Sequence, residues 1–154
     1  MKKLTGISGI IFILIAFSNC EKEPNDTGKL SLVKTTPGGC NNQKSAYLMD
    51  RAGEQPDTVI FSVRKDTLDV FVGLNYICCA PFNTASTFRN DSIIINITDT
   101  CPAPYQSCYC KCMCYYTWNF LFADYQGQKY GYKVILKDPR QKDPILIKKG
   151  RISS

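Results

Sequence analysis

The residues of this chain with the most chemistry in them are its nine cysteines, four of which alternate with other residues in Cys108-Tyr109-Cys110-Lys111-Cys112-Met113-Cys114. A thiol can pair as a disulfide, hold a soft metal as thiolate, or act as a nucleophile. Nucleophilic use wants a neighbouring base, and the chain of 154 residues contains no histidine. That removes Cys-His and Ser-His systems, histidine-ligated metals and the usual general base near neutral pH. Metal use wants a spacing such as Cys-x2-Cys, where a turn brings two sulfurs to one ion. Strict alternation lacks that turn, and no Cys-x-x-Cys opens a helix as a redox pair would. Neither a metal nor a cofactor is expected. Glu21 and Glu23 lie near the N-terminus, which leaves Glu54, and no two aspartates form a hydrolase motif. The chain does not read as an enzyme. A histidine-free hydrolase and a thiolate metal-binding protein are the weakest alternatives.

The compartment decides what the thiols do. Lys2 and Lys3 are followed by the apolar stretch 7–17 and then by Ser18-Asn19-Cys20 and a polar run. An apolar segment this short is a signal peptide, too short to span a hydrocarbon core of about 30 Å. Cys20 resembles the lipid-attachment cysteine of bacterial lipoproteins, where the leader is cut immediately before the cysteine. Phe17 and Asn19 depart from the strictest form of that pattern. A signal peptide cut elsewhere, leaving Cys20 free, is the plain alternative. Residues 1–19 are thus expected as leader, 20–28 as the lipidated cysteine and a polar tether, and 29–154 as one β domain. The membrane is the implied partner, reached through acyl chains on Cys20. The net charge is +6, with Lys2 and Lys3 in the leader and a local excess only at Lys148-Lys149-Gly150-Arg151. This is too little and too dispersed for nucleic acid, and the C-terminal cluster reads as a solvated tail, with a phosphate or lipid site as the alternative.

Setting Cys20 aside leaves an even number of cysteines in an exported chain, for which disulfides are the default. Neighbours two apart on one strand lie roughly 6.5 Å apart with parallel Cβ vectors, close to the limit for bonding each other. The four cysteines Cys108, Cys110, Cys112 and Cys114 should therefore bond outward to Cys40, Cys78, Cys79 and Cys101. Cys101 with Cys108 is the first expectation, and Cys78 with a cysteine of the run the second.

The elements that must position these residues are strands. Alternation runs from Cys108 through Tyr116, Trp118, Phe120 and Phe122, which predicts one long strand with the cysteines and aromatics facing the core. Val59, Phe61 and Val63 alternate ahead of Lys65-Asp66, and Leu68, Val70, Val72, Leu74 and Tyr76 alternate after it, a hairpin pattern. Its phase puts Cys78 inward and Cys79 outward or at a bend. Ile93, Ile95 and Ile97 mark another strand after a turn at Asn90-Asp91. Leu30 and Leu32 begin a first strand that Pro37-Gly38-Gly39 should end, and residues 145–149 allow a short last one. No window shows a helical period. About seven strands argue for an all-β antiparallel sandwich, immunoglobulin-like, with a small β-barrel as the alternative.

On the outward phase of the cysteine strand lie Tyr109, Lys111, Met113 and Tyr115, a possible platform for a glycan or protein ligand. The bland alternative is that loops cover them. Thr58, Thr67 and Ser92 follow aspartates and precede aliphatic residues, as in the O-glycan acceptor pattern of exported proteins of the Bacteroidota. Cys78-Cys79 before a turn, then Cys110, Cys112, Cys114, Tyr115 and Tyr116, resembles small cysteine-rich Bacteroidota-type lipoproteins over residues 57–154. The resemblance implies a β-sandwich anchored in the bacterial cell envelope, as an outer membrane lipoprotein facing the periplasm or the cell surface. It implies no catalytic residue and no ligand. A binding or structural role is expected, with an exported inhibitor or an accessory subunit of a larger complex as the alternative.

Overall fold

A computed structural model describes residues 30–40, 55–104 and 107–152. Eight strands follow one another: β1 (Ser31–Cys40), β2 (Thr58–Arg64), β3 (Thr67–Ile77), β4 (Phe82–Arg89), β5 (Ser92–Asp99), β6 (Met113–Ala123), β7 (Gly131–Lys137) and β8 (Ile145–Arg151). They form two four-stranded sheets, sheet A in the order β1-β6-β3-β2 and sheet B in the order β4-β5-β7-β8. The expected β-sandwich is present, as two separate sheets rather than one closed barrel. Pairing is antiparallel except between β5 and β7, which run parallel. The reason is topological: β6 intervenes in the opposite sheet, so β7 re-enters sheet B from the end where β5 began.

Two short hairpins are set by residues that tolerate a left-handed backbone. Lys65 has φ 55° between β2 and β3, while Asn90 and Asp91 have φ 47° and 54° between β4 and β5. Two consecutive positive φ angles suit the right-handed twist of the flanking strands, and Asn and Asp adopt them at low cost. The first strand corrects one expectation. Pro37, Gly38 and Gly39 do not end it; β1 continues to Cys40 with register shifts at Leu32/Lys34 and Pro37/Gly39. It is an edge strand, where a missing N–H and an irregular ladder are tolerated.

The core lies where the alternation places it. Leu68, Val70, Val72, Leu74 and Tyr76 of β3 and Cys114, Tyr116, Trp118, Phe120 and Phe122 of β6 face Ile93, Ile95, Ile97, Val134 and Leu136 of sheet B. Phe82 of β4 meets the rings of Tyr76, Tyr116 and Trp118 edge-on at 5.3, 4.9 and 5.2 Å. The sandwich therefore has two unlike ends. At one, called here the entry end, Ser31 pairs with Ala123, and Tyr125 packs on Tyr130 beside the exit of β8 at Ile152. At the other, the far end, Cys40, Ile77, Phe82, Asp99 and Met113 begin or finish their strands.

Phe120 is fully buried in the middle of the central strand of sheet A. Phe120→Ala should cost about 3–5 kcal/mol of folding stability, read as a loss in chemical denaturation with the slope unchanged.

Candidate functional site

The far end is where the chemistry-bearing residues gather. All eight described cysteines are paired there: Cys40–Cys114, Cys78–Cys112, Cys79–Cys110 and Cys101–Cys108, with Cα–Cα distances of 5.4–5.9 Å. Each cysteine of the run bonds outward, one to each of the four upstream partners, and Cys101 takes Cys108. The bonds have a topological purpose. The chain leaves sheet A for sheet B between β3 and β4, and returns from sheet B to sheet A between β5 and β6. Both passages lie at this end. Cys78–Cys112 and Cys79–Cys110 stitch one to the other, and the amides of Cys78 and Cys110 donate to the carbonyls of Cys112 and Cys78 at 2.9 and 3.0 Å.

This arrangement corrects the long-strand expectation. β6 starts at Met113, and residues 107–112 are turn and bend rather than strand. Only Cys114 sits on the buried face of β6. Cys110 and Cys112 are exposed, because their sulfurs reach back to Cys79 and Cys78 in the other passage. Cys79 has φ 67° at its bend, outside the strand, while Cys78 is buried beside Tyr76. The contact platform Tyr109, Lys111, Met113 and Tyr115 is consequently not one face. Lys111 and Met113 are exposed, Tyr115 lies across Gly73 of β3 so that a Cβ there would collide with its ring, and Tyr109 is turned toward the core.

Tyr109 belongs to a polar network that alternation alone did not disclose. The carboxylate of Asp99, buried at the end of β5, accepts hydrogen bonds from the hydroxyls of Tyr76 at 2.9 Å and Tyr109 at 2.6 Å, and from the amide of Cys101 at 2.9 Å. Arg140, in the turn after β7, donates through Nη2 to the Tyr76 hydroxyl at 3.2 Å. Its guanidinium forms a fork on the buried Asp138, Nε donating to Oδ1 at 2.8 Å and Nη2 to Oδ2, and lies 5.3 and 5.0 Å from the ring centres of Tyr76 and Tyr109. Among the described residues no buried side-chain nitrogen or oxygen lacks a partner. The carboxylates are held by donors on every side, and the arrangement closes a loop end. A sequence signal for it does exist: Asp99 continues the inward phase of Ile93, Ile95 and Ile97, and Asp138 that of Val134 and Leu136. A charge on an inward phase announces a paired, buried group.

The Sγ atoms of Cys40, Cys78 and Cys114 lie within 4.8 Å of one another. All three are bonded in disulfides, and a disulfide sulfur has no thiolate charge to offer an ion. The hydroxyls of Thr58, Thr67 and Ser92 are half-buried and donate to the carbonyls of Pro56 at 2.7 Å, Arg64 at 2.7 Å and Asn90 at 3.4 Å. These are local turn contacts, formed as the strands start. Cys20 and the tether lie outside the described residues. Comparison with protein-family models, with curated proteins and with solved structures finds no match to this chain.

Two outcomes follow from this geometry. Replacing a cysteine pair by alanine should lower stability in the order of loop length. Cys40–Cys114, closing 74 residues, should cost about 4 kcal/mol, and Cys101–Cys108, closing 7, about 2 kcal/mol in the chain-entropy picture; paired melting curves check the order. In the network, burial and the hydrogen bond to Asp99 push the Tyr109 hydroxyl up from 10.0 to about 12, and the same causes push Tyr76 higher. A folded pKa raised above the unfolded one contributes stability that is complete below pH 10 and is lost as pH rises through about 12. Ultraviolet titration should show these two tyrosines ionising late, and Asp99→Asn should bring Tyr109 back toward its ordinary value.

Proposed function

We propose that the chain is an outer-membrane lipoprotein of the bacterial envelope, held by acyl chains on Cys20, whose sandwich presents its far end to a glycan or protein partner. The role is binding or structural, with no catalytic step. The observation that carries this reading is the opposition of the two ends. β1 begins at the entry end, so a chain tethered through residues 20–28 enters there, and the four disulfides stand at the other end. Lys111, Met113 and the exposed pair Cys79–Cys110 form the tip of that end. Disulfides there fix loops that would otherwise lose conformational freedom on binding, which is how preorganisation raises affinity. The buried Asp99 network holds the same loops from below.

Two or more acyl chains give stable anchoring, at about 0.8 kcal/mol per buried methylene. Cys20→Ala should abolish incorporation of labelled palmitate and move the protein from the detergent phase to the aqueous phase on phase separation. Labelling and partition that survive the substitution sink the reading.

A further inference from the structure

The second feature that no disulfide explains lies at the entry end, on the outer face of sheet B. A shallow depression of about 380 Å³ is lined by residues that include Ser92, Gly131, Lys133, Lys149 and Arg151. Its floor is Gly131, over which the Ser92 hydroxyl lies so closely that a Cβ there would stand 2.5 Å from it. Its walls are cations in register. Lys133 stands directly opposite Lys149, Arg151 stands opposite Gly131, and Ser92 faces Gly131 from β5. Side chains directly opposite on paired strands have Cβ atoms about 4.5–5.5 Å apart, and like charges so placed destabilise the sheet.

No acidic side chain lines the depression. Among the described residues the ion pairs are Arg64–Asp69 and Arg140–Asp138, so Lys133, Lys149 and Arg151 have no carboxylate of their own. Asp91, the residue before Ser92, contributes its backbone: its carbonyl accepts the Gly131 amide at 2.8 Å. Three cations with no carboxylate partner around one hollow form a concave surface of a single charge sign, which suits a tetrahedral anion.

We infer that this depression takes the phosphate of an anionic lipid headgroup, and that the entry end lies on the membrane surface. The inference rests on the acyl anchor proposed above. Its own support is position: β1 starts at Ser31, at the same end of the sandwich as Gly131 and Arg151. Ten residues separate Cys20 from Ser31, a reach of about 35 Å at full extension. A tether of that reach lets the entry end settle on the headgroup layer, where each nearby Lys or Arg strengthens attachment to an anionic leaflet about fivefold.

The test uses the full chain with its lipid, reconstituted into vesicles of phosphatidylcholine alone or with phosphatidylglycerol added. Lysine reactivity toward an acetylating reagent is read residue by residue by mass spectrometry. Lys133 and Lys149 should lose reactivity severalfold with phosphatidylglycerol and regain it at high salt, while Lys111 and Lys142 at the far end stay unchanged. Arg151→Gln should weaken that protection about fivefold without changing the melting temperature. Equal reactivity in the two vesicles overturns the inference. So does equal protection by inorganic phosphate added to phosphatidylcholine vesicles, which would make this a site for the free anion. Should intact mass reveal no acyl chain, the anchor reading fails separately. Sedimentation of that unacylated chain with phosphatidylglycerol vesicles then decides: salt-sensitive binding lost in Lys133→Gln/Lys149→Gln upholds the headgroup site, and no binding ends it.

Discussion

The structure depends on two chain crossings being held together at one end. A sandwich of this connectivity cannot be closed by hairpins alone, because β4 and β6 must each arrive from the opposite layer. Both arrivals occur beside each other, and Cys78–Cys112 and Cys79–Cys110 fasten them. Their loops enclose largely the same residues, so their entropic contributions overlap and do not add. The second bond does something other than shorten the unfolded chain further. It fixes the direction in which residues 107–112 leave the crossing, and so sets where Tyr109 and Met113 begin. Cys40–Cys114 acts elsewhere, tying the edge strand β1 to the central β6 across an irregular ladder.

The polar network has a different physical character. Burying the carboxylates of Asp99 and Asp138 is costly, and the cost is offset only while every donor is in place. Arg140 supplies three bonds to Asp138, two from its guanidinium and one from its backbone amide, and one to Tyr76, with its guanidinium near two rings. The hydrogen bond from Arg140 holds the Asp138 carboxyl below its ordinary range. That contribution is present above the unfolded value and is lost as pH falls through the lowered one. A network of this kind discriminates sharply between one loop arrangement and all others, whatever it adds to the total stability.

How much of this was legible follows from what each residue's neighbours in sequence report. Leu68 to Tyr76 and Ile93 to Ile97 alternate because one face is buried, and Asn90-Asp91 announces a turn by its own tolerance of positive φ; these were readable. Cys108 to Cys112 alternate for another reason. Their sulfurs meet partners in a different passage of the chain, and a period of two in a disulfide-bound loop is indistinguishable from a period of two in a strand. Pro37-Gly38-Gly39 looked like an ending because punctuation rules describe central strands, whereas β1 has a free edge. The parallel pairing of β5 and β7 leaves no mark on either strand, since it is set by where β6 goes. The basic depression was half visible: the C-terminal cluster allowed a phosphate or lipid site, but Lys133 and Lys149 are neighbours only through the register of β7 with β8, so the sequence showed Lys133 as a lone lysine.

One consequence of the cysteine pairing concerns how the molecule is made. Every bond joins an upstream cysteine to the run at 108–114, with separations of 74, 34, 31 and 7 residues. A chain emerging N-terminus first offers Cys40, Cys78, Cys79 and Cys101 to an oxidant before any of their partners has appeared. Whatever bonds form among those four are wrong, and every one must be broken again. Maturation of this domain therefore depends on timing as much as on oxidation. Either the upstream thiols stay reduced until the run at 108–114 has emerged, or mispaired bonds are reshuffled by thiol exchange afterwards.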